Sequence, residues 1–506
     1  VPAALALAVG VPLVALLLSC GGSSSNGASN GGNSTSTIAA QVAACEAGLP
    51  QVNTTGLASN EASIVVDAGP CAYGVPYGAA AGTADSVFIV GSQNLAFTNV
   101  TICIPGTSTC QTIDHVLVDT GSSGVRIMSS VLGSSIALNP VTAGGAPVIE
   151  CAQFADGFTW GSIRSADVYI GGTANVGEKA ANIPIQVIGD SSAYTTPSAC
   201  TGTGSALNDV ASFGANGIIG VGLFIADCAT DLACPDSTFA SPLYYLCPTS
   251  NSCASYDALA TQQVVNPVGS FTSDTNGVND SNGVVVALPA LTVPTGEVNV
   301  YGNLYFGVAT QANNALPVNA SVYLADAYGD FYSSVTGFAT GSPTVPLGGG
   351  VCSNSFIDSG SNGIFLPQSV ATIPYTPQYW FDPSSTITFT ALITGATGFA
   401  SGSQDPSITS PSFTFSIADA TTLFAANGQN NTAYSSLGGA YSTGGVCDSA
   451  TSGNQNSSDT TSGIDWGLPF FYGRTIVIGN EYLGNQTGSP PVTVAGSTFN
   501  GPFWAF

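Results

Sequence analysis

The segment Val118-Asp119-Thr120-Gly121-Ser122-Ser123-Gly124-Val125 returns later in the chain as Ile357-Asp358-Ser359-Gly360-Ser361-Asn362-Gly363-Ile364. The likeness runs on through Ile127 and Leu366 to Ser130-Val131 and Ser369-Val370. Downstream of each copy lies a second matched element: Asn216-Gly217-Ile218-Ile219-Gly220-Val221-Gly222 after the first, and Ile464-Asp465-Trp466-Gly467-Leu468-Pro469-Phe470-Phe471 after the second. Self-similarity of this kind marks a duplicated architecture. The chain must build two related halves, each ending an apolar strand on one Asp. With 62 Gly and 29 Pro, long helices are excluded. Short β-branched and aromatic runs at 87–90, 115–118, 167–170, 284–288 and 475–478 read as strands between turn signals. The expected class is all-β.

The repeated loop has a chemistry of its own. An apolar strand delivers Asp119 or Asp358, and Gly121 or Gly360 permits a turn tight enough for two such loops to meet. Backbone N–H groups and Ser122 or Ser361 can then hydrogen-bond each carboxylate. Two carboxylates roughly 3 Å apart cannot both ionise, so they share a proton. One member then acts as general base on water while the other protonates a carbonyl oxygen.

These loops resemble those of the pepsin-like aspartic proteases, the two-lobed kind in a single polypeptide, and the similarity runs from residue 85 to the last residue. The resemblance implies a bilobal β fold with the active-site cleft between the lobes and Asp119 and Asp358 as the catalytic dyad. It implies that Thr120 and Ser359 brace the two loops crosswise, that Ser122 and Ser361 hold the outer carboxylate oxygens, and that Ile218-Ile219-Gly220 threads past the first loop. Trp466-Gly467 lies near the corresponding place in the second half. The family's hairpin flap would fall on Phe154, Asp156, Gly157 and Trp160, followed by the strand-and-turn Asp167-Val168-Tyr169-Ile170-Gly171-Gly172. Phe154 takes the place of the flap Tyr and lacks its hydroxyl; Trp160 is the candidate substitute. No Lys or Arg precedes residue 85, so the family's basic inhibitory prosegment is missing. The implied activity is an endopeptidase with water as nucleophile and no cofactor or metal, taking an extended polypeptide with apolar side chains and working as a monomer. The alternative is a surface binding or structural lipoprotein that keeps the fold without turnover.

Charge narrows the partners. Four Lys+Arg against 29 Asp+Glu give a net charge of −25, so no basic surface for nucleic acid or anionic lipid can form. Charged residues are 7% of the chain, against about 25% in an ordinary soluble domain. A polar surface of Ser, Thr and Asn changes little when carboxylates protonate, which suits an extracytoplasmic and acidic setting. The only His, His115, leads into the Asp119 loop and reads as a packed residue. Gly27-Ala28-Ser29-Asn30-Gly31 has a nucleophile-elbow pattern without the strand–turn–helix context, so a serine hydrolase is disfavoured. Nothing in the Asp loops favours sugar, which disfavours a carboxylate-pair glycosidase. A Cys/His zinc site lacks its ligands, and the Asp/Asn-rich stretch at 273–283 fails the EF-hand spacing.

The first residues read as an address. An apolar run at 1–18 precedes Ser19 and Cys20, and Leu17-Leu18-Ser19-Cys20 resembles a bacterial lipobox with Cys20 lipidated. The expected organisation is a signal peptide at 1–20, a flexible Gly/Ser/Asn tether at 21–43, an N-terminal extension at 44–84, and lobes at 85–283 and 284–506. The protein would be held in the bacterial cell envelope by the anchor on Cys20. Removing Cys20 from 13 cysteines leaves 12, an even number for an oxidising compartment. Cys103/Cys110, Cys228/Cys234 and Cys247/Cys253 can close small loops. Cys45, Cys71, Cys151, Cys200, Cys352 and Cys447 then remain, and Cys45/Cys71, Cys151/Cys200 and Cys352/Cys447 is one of the pairings open to them.

Overall fold

The computed structural model describes residues 38–74, 85–171, 177–227, 242–272, 277–338, 345–346, 350–367, 373–396, 404–409, 412–441, 448–449, 463–481, 492–494 and 497–506. The signal peptide, Cys20, most of the tether, Gly172, the stretch 273–276, Ser369-Val370 and Cys228, Cys234 and Cys447 lie outside them. Strands dominate what is described, and the longest described helix, Ile38–Glu46, has nine residues. An 18-stranded mixed sheet and a 10-stranded sheet carry most of the structure.

The duplicated sequence folds in duplicate. Cys110–Asp119 and Ser123–Met128 flank Gly217–Val221, which runs parallel to the first (Ile218 beside Leu117, Gly220 beside Asp119) and antiparallel to the second (Ile218 beside Arg126). In the second half Gly350–Ile357 and Ile364–Leu366 flank Asp465–Trp466 in the same sense, with Phe356 beside Asp465, Ile357 beside Trp466, and Ile364 facing Trp466. Each Asp therefore leaves the end of a strand whose neighbour was supplied by a distant part of the chain. Val116, Val118, Val125, Ile127 and Ile219 on one side and Ile357, Ile364 and Trp466 on the other are buried in one hydrophobic core. That continuity fixes both strand ends against each other.

The sheets also tie the chain's beginning to its second half. Glu61–Val66, buried over five successive residues, lies between Val300–Phe306 and Ala96–Cys103. Gly283–Leu288 pairs with Val300–Phe306 and with Arg474–Gly479. Residues expected to form an extension thus supply an internal strand of the large sheet.

Four disulfides join Cys45 to Cys71, Cys103 to Cys110, Cys151 to Cys200 and Cys247 to Cys253. Cys103–Cys110 and Cys247–Cys253 match the small loops read from spacing, Cys45–Cys71 and Cys151–Cys200 coincide with two arbitrary pairings of the cysteines left over, and Cys352 is disulfide-bonded as well. Such cross-links fit an extracytoplasmic protein. No helix among the described residues is long and apolar enough to cross a membrane.

His115 is buried, with Nδ1 3.0 Å from Asp114 Oδ2, Nε2 3.1 Å from Asp67 Oδ2, and its ring 5.4 Å from that of Phe97. Burial favours the neutral imidazole, but hydrogen bonds and charge from Asp114 and Asp67 outweigh it and push the pKa up to about 9. A pKa raised above its unfolded value contributes stability that is complete below about 6.5 and lost as pH rises through the folded value. The stability advantage of the wild type over His115→Gln should therefore shrink between pH 6 and 9.5, by at most about 3 kcal/mol. Denaturant unfolding at the two pH values measures it; a constant difference would contradict a charged imidazolium in the fold.

Candidate active site

Asp119 and Asp358, both 5% exposed, come together where the two loops meet. Each carboxylate is gripped by its own turn. Gly121 N–H donates to Asp119 Oδ1 at 2.8 Å, and the Ser122 hydroxyl donates to Asp119 Oδ2. Gly360 N–H donates to Asp358 Oδ1 at 2.7 Å, and the Ser361 hydroxyl donates to Asp358 Oδ2 at 2.8 Å. The loops then brace each other crosswise. Thr120 N–H donates to Ser359 Oγ at 3.1 Å, and Ser359 N–H donates to Thr120 Oγ1 at 2.9 Å. The same hydroxyls pass on to Ile357 O at 3.1 Å and Val118 O at 2.7 Å. The four crosswise bonds are buried, so each is worth more than its exposed counterpart and costs more to break.

Glycine is required at two of these positions by contact. A side-chain carbon on Gly121 would lie 2.6 Å from Asp358 Cγ, and one on Gly360 would lie 2.7 Å from Asp119 Oδ1. Each turn passes directly over the other half's carboxylate, and any larger residue would push the pair apart.

The two carboxyls are neighbours: a side-chain carbon on Gly360 would lie 2.7 Å from Asp119 Oδ1 and 3.1 Å from Asp358 Oδ1. Burial, followed by the charge of Asp119, holds the Asp358 carboxyl well above the usual carboxylate range. The pair therefore keeps one proton where isolated aspartates have lost theirs. A buried carboxylic acid beside a buried carboxylate can donate and accept protons at once.

A β-hairpin, Ala146–Gln153 with Gly157–Ile170, carries the candidate flap residues. Phe154 and Asp156 lie in its turn, closed by Phe154 N–H donating to Gly157 O at 2.7 Å. The Phe154 ring meets Phe213 edge-on at 5.9 Å, with the Arg126 guanidinium 6.0 Å from its centroid. Gly157 passes close to the backbone of Ser205, with which it is paired. Trp160 packs into the hairpin's own cluster beside the Cys151–Cys200 disulfide, 5.4 Å from the Tyr245 ring. Its indole N–H has no hydrogen-bond partner there. Trp160 thus serves the packing of the hairpin, while Phe154 connects it to Arg126 on the strand leaving the Asp119 loop.

Two groups had no role in the sequence reading. Arg126, 4% exposed, binds Glu150 through Nη2 at 2.6 Å and through Nε at 3.2 Å, and reaches Asp227 Oδ2 at 3.3 Å. Tyr244 OH donates to Asp227 Oδ2 at 2.6 Å. Burial and then the Glu150 charge raise Asp227 well above an ordinary carboxylate. The second is Asp465. It takes the place that Ile218 has in the first half, since Ile218 pairs with Leu117 as Asp465 pairs with Phe356. A charge standing in an apolar slot of the internal repeat was the signal that could have singled it out. Among the described residues no group of His, Cys, Asp and Glu is arranged to hold a metal ion.

The family described as Protein of unknown function (DUF3443) matches residues 81–506, and the chain belongs to it. No curated protein matches the sequence.

Proposed function

We propose that this member of a family without an assigned chemistry is an extracytoplasmic aspartic endopeptidase with the two-lobed pepsin-like fold, anchored to the cell envelope through lipid on Cys20. The observation that carries the reading is the pair Asp119 and Asp358. Two buried carboxyls lie side by side inside matched loops, each beneath the other half's glycine turn, and each accepts bonds from its own glycine N–H and serine hydroxyl. Folding alone gives no return for such a pair, because burying two acids side by side is unfavourable. Perturbed groups of this kind gather where proton transfer is needed.

The chemistry follows from the shared proton. As the oxygen of a water between the carboxyls adds to the scissile carbonyl carbon, the ionised carboxylate takes a proton from that water. The protonated partner gives its proton to the carbonyl oxygen, leaving a neutral gem-diol. Collapse of the diol breaks the C–N bond, and a proton returned to nitrogen releases the amine. The crosswise bonds of Thr120 and Ser359 fix the geometry for both steps, so no reorganisation is needed when charge moves. Substrates are extended polypeptides.

The reading is tested with purified, disulfide-bonded protein beginning at residue 38, incubated with a denatured protein substrate from pH 3 to 7, with and without pepstatin. Cleavage should appear in the acid range and be suppressed by the inhibitor. No cleavage at any of these pH values would leave the non-catalytic binding protein as the better account.

A further inference from the structure

The two Asp loops are alike in sequence and are held by different means. Ser122 O accepts the Gly222 N–H at 2.9 Å, and its counterpart Ser361 O accepts the Leu468 N–H at 2.7 Å. One residue further on, the halves part. The Ser123 carbonyl accepts a bond from Arg126 Nη1 at 3.0 Å, made within the strand Ser123–Met128 that leaves the loop. In the repeat, Asn362 stands where Ser123 does, and Phe365 stands where Arg126 does. A phenylalanine side chain has no donor. The Asn362 carbonyl is bonded instead by Asn94 Nδ2 at 3.0 Å, from 268 residues away in the chain.

Asn94 is fully buried, and its amide is used to capacity. Nδ2 also donates to Tyr434 O at 2.9 Å, while Oδ1 accepts the Tyr434 N–H at 2.7 Å and the Tyr472 hydroxyl at 2.9 Å. Carbonyls only accept and a backbone N–H only donates, so these partners admit a single orientation of the amide. The backbone of Asn94 has a φ of 51°, a left-handed conformation that Asn tolerates and most side chains do not. Glycine would suit that backbone equally well, so the side chain is kept for its bonds. Burying an amide is unfavourable unless such bonds are made.

The bonds close a ring around the second loop. Asn94 holds Asn362 O; the preceding carbonyl, Ser361 O, is held by Leu468; Leu468–Phe470 forms a short helical turn; and Tyr472, just beyond it, returns to Asn94. Two consecutive carbonyls of the loop are therefore gripped from two sides. Fixing both sets the direction in which the Ser361 hydroxyl leaves the backbone, and that hydroxyl donates to Asp358 Oδ2 at 2.8 Å.

We propose that Asn94 is a positioning residue for Asp358, acting through Asn362 and Ser361 to hold the second carboxyl in register with the first. The inference rests on the endopeptidase reading of the same site. Asn94 is buried beneath the loop, so its removal loosens the reacting geometry and leaves substrate binding alone.

The test compares wild type with Asn94→Gly, which keeps the left-handed backbone and removes the side chain. Measured where the variant is folded, kcat should fall about 10- to 100-fold while KM stays within about threefold. A role confined to folding would leave the kcat of folded molecules unchanged, and that result would overturn the proposal. If Asn94→Gly does not fold, Tyr472→Phe opens the ring at one bond and leaves Oδ1 with the Tyr434 N–H. It should lower kcat alone, by about three- to tenfold, and an unchanged kcat there would be equally fatal.

Amide hydrogen exchange reads the same loop without turnover. The Gly360 N–H, which donates to Asp358 Oδ1, should exchange about tenfold faster or more in Asn94→Gly, and the Gly121 N–H of the first loop should change by less than about threefold. No acceleration at Gly360, or equal acceleration of both amides, would refute a local hold on the second loop. Absence of peptide cleavage by wild type would sink the endopeptidase reading instead, while the exchange of Gly360 still decides whether Asn94 fixes the Asp358 loop.

Discussion

Asp119→Asn and Asp358→Asn should each lower kcat/KM by roughly ten-thousand-fold or more, and the double variant should be scarcely worse than either single one. The expectation follows from the shared proton. With one amide in place, the pair can no longer hold an acid and a base together, so losing either member removes both functions. Asn is nearly isosteric, and the Gly121 and Gly360 N–H groups can still donate to its carbonyl oxygen. Thermal unfolding and far-UV circular dichroism should therefore stay close to wild type. The wild-type profile should rise as pH falls into the range where the pair holds one proton and drop when both are protonated. Burial raises Asp358, so the upper limb should lie above the ordinary carboxylate range. A single variant retaining a tenth of wild-type activity would show that the two aspartates do not act as a unit.

Arg126→Met should cost about 3–5 kcal/mol in unfolding free energy, the usual penalty for removing one partner of a buried ion pair. The Glu150 side chain is fully buried and receives three hydrogen bonds from the guanidinium, while Asp227 receives one. Without Arg126 the Glu150 carboxylate has no cation, and the Ser123 carbonyl loses the 3.0 Å bond it accepts from Arg126 Nη1. Denaturant unfolding at pH 7 measures the loss. Adding Glu150→Leu to Arg126→Met should recover much of it, because an apolar pair of similar volume needs no counter-charge. If the double variant is as unstable as the single one, the lost energy belongs to packing rather than to the stranded charge.

The parts of the site that were legible in the sequence are those written into short, repeated segments. Asp119, Gly121, Ser122 and their counterparts Asp358, Gly360 and Ser361 bond within a single turn, so spacing alone brings them together. The crosswise bonds of Thr120 and Ser359 could be expected once the two turns were known to meet. Two of the disulfides, Cys103–Cys110 and Cys247–Cys253, followed from close spacing, whereas Cys45–Cys71 and Cys151–Cys200 join elements that spacing does not pair. What escaped was built from distant elements. Arg126, Glu150, Asp227 and Tyr244 lie on separate segments and share no local pattern, and a buried arginine looks like any other in a sequence. Glu61–Val66 finds its place through pairing with Val300–Phe306, a match no periodicity encodes. Asp465 was in view within the matched element, but that it fills an apolar slot shows only when the paired strands of the two halves are set side by side.

The crosswise bonds between Thr120 and Ser359 work as a logical AND. A chain that has presented only its first loop holds one aspartate among serines and glycine, with no partner to share a proton and no chemistry to perform. Only after the second loop docks do the hydroxyls of each half find the backbone of the other, and competence arrives in the same event as native structure. Timing is thus a property of the topology itself: the paired aspartates do not exist as a pair until the two loops have docked.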